Sequence, residues 1–140
     1  IRILVVDDEF DFRDTLIIRL KKRNLEATGA ESGESALEMI KSERFDVIIL
    51  DLKMKGMDGI ATLREIKKCE PLIEVILLTG HGSAKSSAEC MKLGAFDYLL
   101  KPYDYNMLLE KITLAYTSKA VREQKIRRLR ELGTNSLGLL

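Results

Sequence analysis

The chain has 140 residues, 46% of them apolar and 32% charged, with a formal net charge of +1 and two cysteines. A chain of this size fits one domain that buries roughly 65–70% of its unfolded surface, so its core needs neither disulfides nor a structural metal. No apolar stretch approaches the roughly 20 residues that span a bilayer, no secretory segment is read before the first apolar run, and Cys69 and Cys90 match no metal or redox spacing.

Two reduced thiols in a reducing cytoplasm are therefore expected, as is the trimming of an initiating residue before Ile1. The elements alternate between two periodicities. Residues 2–6 are short and continuously apolar, as a strand buried on both faces is. Over 11–23, Phe12, Leu16 and Leu20 form one helical stripe, and 25–28 reads as a short edge strand. Ser32-Gly33-Glu34 opens a second helix with Ala36, Leu37 and Ile40 inward, and 45–50 is the next buried strand. Asp58-Gly59 is a turn signal, followed by Ile60, Leu63 and Ile66 at helical spacing. Residues 74–78 form a strand. Residues 83–93 form a weaker helix with Ala84, Ala88 and Met91 inward, stopped by Gly94. A last strand covers 95–100, and from Tyr105 a helix turns Leu108, Leu109, Ile112 and Ala115 inward.

Five strands alternating with five helices predict an α/β fold with a parallel sheet covered on both faces. The last helix meets no Pro or Gly until after Leu132, and its seam continues through Lys119, Arg122, Ile126 and Leu129. Two charged seam positions argue against a strict coiled coil, which leaves a solvated linker or a weak helical dimer contact. Within 119–130 six basic residues stand against Glu123 alone, so this segment carries +5 and the remainder −4. The chain is read as a body, 1–118, and a helical basic extension, 119–140, whose last eight residues are expected to fray.

Four of the apolar runs end on polar residues: Val6 before Asp7-Asp8, Leu50 before Asp51, Leu78 before Thr79, and Leu100 before Lys101. In a parallel sheet these endings share one edge, where such folds place their ligand crevice. Asp7 or Asp8 alone could simply cap the following helix. Three carboxylates together repel one another unless a cation joins them, and hard oxygen ligands suit Mg²⁺. An aspartate such as Asp51 can attack phosphorus and become an acyl phosphate. The Lys101 ammonium can stabilise charge on the transferring oxygens, and Thr79 offers a hydroxyl.

These motifs (Val5-Val6-Asp7-Asp8-Glu9, Ile49-Leu50-Asp51-Leu52-Lys53-Met54, Leu78-Thr79-Gly80, and Gly94-Ala95 through Lys101-Pro102) resemble the receiver domain of bacterial two-component response regulators over residues 2–120. The stretches 79–83 and 92–98 are similar to receivers of NtrC-like, sigma-54-dependent transcription activators. The resemblance implies a flavodoxin-like (βα)5 sandwich of strand order 2-1-3-4-5. It implies that Asp51 is the phosphoacceptor, fed by a sensor histidine kinase. It also implies that Asp8, Asp51 and the Lys53 backbone carbonyl bind Mg²⁺, with Asp7 acting through a metal-bound water. Lys101 would pair with the phosphoryl oxygens, Thr79 would bond the phosphoryl group, Tyr98 would turn from exposed to buried as the aromatic switch, and Lys101-Pro102 would be cis.

Further implications are a homodimer and a following output domain, an AAA+ ATPase with a DNA-binding part, regulated by the receiver. The domain itself would catalyse only its own phosphoryl transfer and dephosphorylation, and would contact neither nucleic acid nor membrane. Lys55 stands where many receivers carry Pro, so the loop 53–58, with Gly56, is expected to be more mobile. Lys53 and His81 occupy positions that tune phosphoryl lifetime in the family.

Three rivals remain. An aspartate-nucleophile phosphatase of the haloacid-dehalogenase type would use a first-strand Asp-x-Asp, whereas the chain has Asp7-Asp8-Glu9. A dinucleotide-binding module would need a third glycine after Gly80 and Gly82, where Lys85 stands. Nucleic-acid binding by 119–130 lacks a groove-reading motif. A stand-alone receiver serving as a protein-binding module is a further alternative.

Overall fold

The computed structural model describes residues 1–80 and 84–138, leaving aside the side chains of 84 and 134–138. The elements run β1 (Arg2–Val6), α1 (Phe10–Lys22), β2 (Glu26–Ala30), α2 (Gly33–Ser42), β3 (Val47–Leu50), α3 (Gly59–Cys69), β4 (Glu74–Thr79), α4 (Ala84–Lys92), β5 (Asp97–Leu100) and α5 (Tyr105–Gly138). All strand pairs are parallel and the sheet order is β2-β1-β3-β4-β5, the flavodoxin-like arrangement the resemblance implies.

The continuous apolar runs follow from helices on both sides. Leu4, Val6, Ile48, Leu50, Val75 and Leu77 face α2, α3 and α4, and pack with Ala36, Ile40, Leu63, Ile66 and Cys90. The alternate residues Ile3, Val5, Val47, Ile49, Ile76 and Leu78 pack with Leu16 and Leu20 of α1 and Leu108, Ile112 and Ala115 of α5. Helix starts are set by local chemistry. The Ser35 amide donates to Ser32 Oγ at 3.1 Å, and the Ala61 amide to Asp58 Oδ1 at 2.8 Å. At the head of α5, Asp104 Oδ1 accepts from the Asn106 and Met107 amides.

Two expectations need correction. The buried face of α4 is not Ala88 and Met91, which are exposed, Met91 at 46%. It is Cys90, with Leu93 packed beside it. Small and flexible residues counted as apolar shifted the stripe by one position, and the Ala84 side chain lies outside the described residues. The last helix also continues to Gly138, where fraying from Gly133 was expected. Cys69 is exposed and Cys90 buried, both as free thiols. Among the described residues no helix is long and apolar enough to cross a membrane.

The first charged positions of the basic segment are docked on the body. Lys119 is only 5% exposed; its ammonium meets Asp46 Oδ1 at 3.2 Å and Glu123 Oε1 at 2.8 Å. Arg122 Nη1 meets buried Glu74 at 2.9 Å, and Arg122 Nη2 donates to the Pro71 carbonyl. Lys67 Nζ reaches the same Glu74 at 3.6 Å. Burial pushes the Lys67 ammonium below its ordinary pKa, with the Glu74 carboxylate working against that fall. Of the charged seam residues, Lys119 therefore serves an interior contact, and Arg122 reaches the body while staying partly in solvent.

Burial pushes the Asp46 carboxyl up, but the Arg2 amide and the Lys119 ammonium together hold it below the usual aspartate range. A depressed folded pKa means stability that is complete above the unfolded value of about 3.9 and lost as pH falls through the folded value. Urea unfolding between pH 6 and pH 3 is expected to show that decline. Lys119→Met should make it shallower, and should lower stability at pH 6 by about 3 kcal/mol by leaving the mostly buried Asp46 without its cation.

Candidate functional site

Backbone bonds carry the ladder one residue past the strands and set the polar tips side by side. The Asp7 amide donates to the Ala30 carbonyl at 3.1 Å, the Asp51 amide to Val6 at 3.0 Å, and the Lys101 amide to Thr79 at 2.9 Å. Asp7, Asp8 and Asp51 thereby bring one carboxylate oxygen each within 4.8 Å of one another. Asp7 and Asp51 are 2% and 6% exposed, and Asp8 is half-exposed at the mouth.

Each acid has a different environment. Asp7 Oδ2 pairs with Lys101 Nζ at 2.9 Å, while Oδ1 accepts the Glu9 amide at 2.9 Å. The capping role open to an aspartate here is thus partly filled by Asp7, although Glu9 stands at the N-cap of α1. Asp8 Oδ2 accepts the Lys55 amide at 3.1 Å. Asp51 is held against burial, which is the main influence raising its carboxyl above the ordinary range. The neighbouring Asp7 charge adds to the rise; the Thr79 hydroxyl, the Lys101 ammonium and the Lys53 amide oppose it. Asp51 Oδ1 is buried without a hydrogen-bond partner.

An orphaned carboxylate oxygen beside two further carboxylates fits a hard divalent cation, because such an ion offsets the mutual repulsion and completes the unpaired oxygen. Mg²⁺ is consistent with this oxygen donor set. Lys53, exposed, lines the cleft mouth with Asp8, Glu9, Met54 and Lys55.

Of the residues predicted for the site, Asp7, Asp8, Asp51, Thr79 and Lys101 converge and Lys53 borders them. Tyr98 makes no part of the acidic cluster. Its ring packs on the core beneath α2, α3 and α4, and its hydroxyl is buried without a partner. The Lys101-Pro102 peptide is cis. His81 lies outside the described residues.

Two contributors were not legible in the sequence. The Phe12 ring lies 3.7 Å beneath Lys101 Nζ and is braced edge-on by Tyr103 at 6.1 Å between centroids. Phe12 fits the helical stripe, so periodicity reads it only as core. Arg13 Nη1 donates to the Asp7 carbonyl at 2.7 Å. The ammonium is therefore fixed by a carboxylate on one side and an aromatic face on the other, both favourable to a cation.

The family model for the response regulator receiver domain matches residues 3–113. The transcriptional regulatory protein ZraR of Escherichia coli (strain K12) is 42% identical over 120 residues, covering 84% of this chain and 27% of that protein. The DNA-binding transcriptional regulator NtrC of the same strain is 35% identical over 120 residues, covering 86% and 26%. The structure of NtrX from Brucella abortus superposes with a TM-score of 0.81 at 35% identity, covering 89% of this chain and 29% of that one. The chain thus spans about a quarter of the length of the curated relatives it matches. With its three aspartates, hydroxyl and ammonium gathered at the end of a 2-1-3-4-5 sheet, this chain belongs to the response regulator receiver domains, in their NtrC-like form.

Proposed function

We propose that Asp51 accepts a phosphoryl group from a sensor histidine kinase and that the chain works as a phosphorylation-dependent switch. The observation that carries this reading is the unpartnered Asp51 Oδ1, set among Asp7, Asp8, Thr79 and Lys101. A carboxylate oxygen of Asp51 attacks phosphorus. The phosphorus–nitrogen bond of the phosphohistidine breaks, and the imidazole nitrogen leaves with the electron pair and takes up a proton. Hydrolysis reverses the state: water attacks phosphorus and the aspartate leaves as carboxylate.

Asp8, Asp51 and the Lys53 carbonyl would hold Mg²⁺, with Asp7 reaching it through water, and the ion supplies charge neutralisation for the transfer. Lys101 moves its ammonium from Asp7 to the new phosphoryl oxygens, and Thr79 turns its hydroxyl to the same group. The domain performs only its own phosphoryl transfer and loss.

Tyr98 sits between this event and the surface. It follows Asp97, whose carboxylate pairs with Lys111 of α5, and its ring already packs inward. Phosphorylation biases the face made by α4, β5 and α5 through Thr79 and Tyr98. Coupling of this kind is typically about 1–3 kcal/mol, enough to shift populations between arrangements of one fold. In the parent protein that shift regulates dimerisation and a sigma-54-dependent output domain, an AAA+ ATPase with a DNA-binding part, in the cytoplasm.

A first-strand nucleophile, as in the phosphatase alternative, is disfavoured because both Asp7 oxygens are already engaged.

Acetyl phosphate with Mg²⁺ is expected to add the mass of one phosphoryl group to the intact chain, with none added in EDTA or in Asp51→Asn. A stable adduct on the variant moves the acceptor elsewhere. Lys101→Met should slow formation of the adduct by about 100-fold. A second outcome concerns stability. The raised Asp51 pKa means that folding disfavours the ionised carboxylate, so at neutral pH its charge costs stability. Asp51→Asn is expected to raise Tm in EDTA by about 3 °C. An unchanged or lower Tm would show that no charge penalty is stored at this position.

A further inference from the structure

The loop between β3 and α3 has one end on the acidic cluster and the other on a helix outside it. Its base is closed by the Gly59 amide on the Leu52 carbonyl at 2.8 Å. A Cβ on Gly59 would lie 2.3 Å from Leu52 Cα, so only glycine permits this approach. Near the acids, the Lys55 amide is held by Asp8 Oδ2 at 3.1 Å. At its outer turn, Gly56 adopts a positive φ of 79° and the Met57 amide donates to Glu34 Oε1 at 2.8 Å. Glu34 belongs to α2, immediately after Gly33 at its start, and makes no part of the acidic cluster. Its carboxylate sits so close under the turn that a Cβ on Gly56 would be 3.1 Å from Oε1. The Glu34 amide, the Met57 amide and the Ser32 hydroxyl hold this carboxyl below its ordinary pKa, outweighing a small rise from burial, so it is a permanent acceptor near neutral pH.

We propose that Glu34 is a positioning residue for cation binding at Asp8 and Asp51: by fixing Met57 it holds the segment 53–57 against Asp8 before the ion arrives. The inference rests on the reading that Mg²⁺ binds this cluster. Besides the Lys53 amide on Asp51 and the burial of Met54 in the core, the loop is held at residues 55 and 57, and Lys53, whose carbonyl would be the backbone ligand, lies just before them. With the outer tie cut, Gly56 gives the loop freedom to leave Asp8, and the ion must then order it at the expense of affinity. The Lys55 amide is available to Asp8 only because residue 55 is not proline.

The test is titration of the whole chain with MgCl₂ at constant ionic strength, followed by calorimetry and by the amide resonances of Lys55 and Met57. Wild type, Glu34→Ala and Glu34→Gln are compared, with Tm in EDTA as the control for folding. Glu34→Ala is expected to weaken Mg²⁺ binding about fivefold to tenfold, with a Tm in EDTA that falls a little but stays well above the titration temperature. Glu34→Gln, whose amide oxygen can still accept from Met57, should recover most of that affinity. Equal affinity in wild type and Glu34→Ala overturns the inference, and so does a Gln variant as weak as Ala, which would assign the effect to charge alone. A wild type that binds no Mg²⁺ overturns the reading of the cluster itself, and this inference with it.

Discussion

Everything at the site depends on hydrogen bonds made by backbone beyond the end of the sheet. Asp7, Asp51 and Lys101 each use their amide to extend a parallel ladder by one step, onto Ala30, Val6 and Thr79. Charged side chains repel or attract according to distance, yet their mutual repulsion does not set these distances. The strands do, because Val6, Leu50 and Leu77 are in register across three neighbours and buried on both faces. Burial of the apolar runs thus forces like charges into proximity, and the hydrophobic core bears the electrostatic cost.

That forced proximity explains the separate states of the acids. Asp7, the most deeply placed, is compensated within the chain by Lys101 and an amide. Asp51 is compensated incompletely and keeps an empty acceptor. Asp8 looks outward and is shared with a loop. One carboxylate is satisfied, one is short of a partner and one is only lightly held, which is the distribution that the proposed cation and phosphoryl group would each require. Full compensation would remove the reason for either to bind.

Much of this was legible because the relevant signals are local. Strand ends followed by Asp, Thr or Lys can be read without knowing the packing, and parallel topology does the rest. Ser32 and Asp58 were legible as helix starts for the same reason. What escaped depends on three-dimensional neighbours. Phe12 satisfies a helical stripe, and nothing in its spacing reveals the ammonium above it. Glu34 looks like an ordinary first-turn acid until the loop at Met57 folds over it. On α4 the apolar count favoured Ala88 and Met91, while Cys90 supplies the buried contact. Lys119 and Arg122 argue in the sequence only against a strict coiled coil and leave a solvated linker or a dimer contact open, because their partners Asp46 and Glu74 lie 73 and 48 residues away in the chain.

The ion pairs at Lys119 and Arg122 make the final helix behave as a lever with a fulcrum. Its first half is clamped to the sheet, and from Glu123 to Gly138 the helix runs on for roughly 22 Å, at 1.5 Å per residue. A tilt of about 10° in the clamped half displaces the far tip by roughly 4 Å over that length. Displacements too small to alter the core would therefore become several ångströms at the end of the helix. The mechanical gain is set by the position of the clamp: moving it one turn along the helix would change the length of the arm by about 5.4 Å.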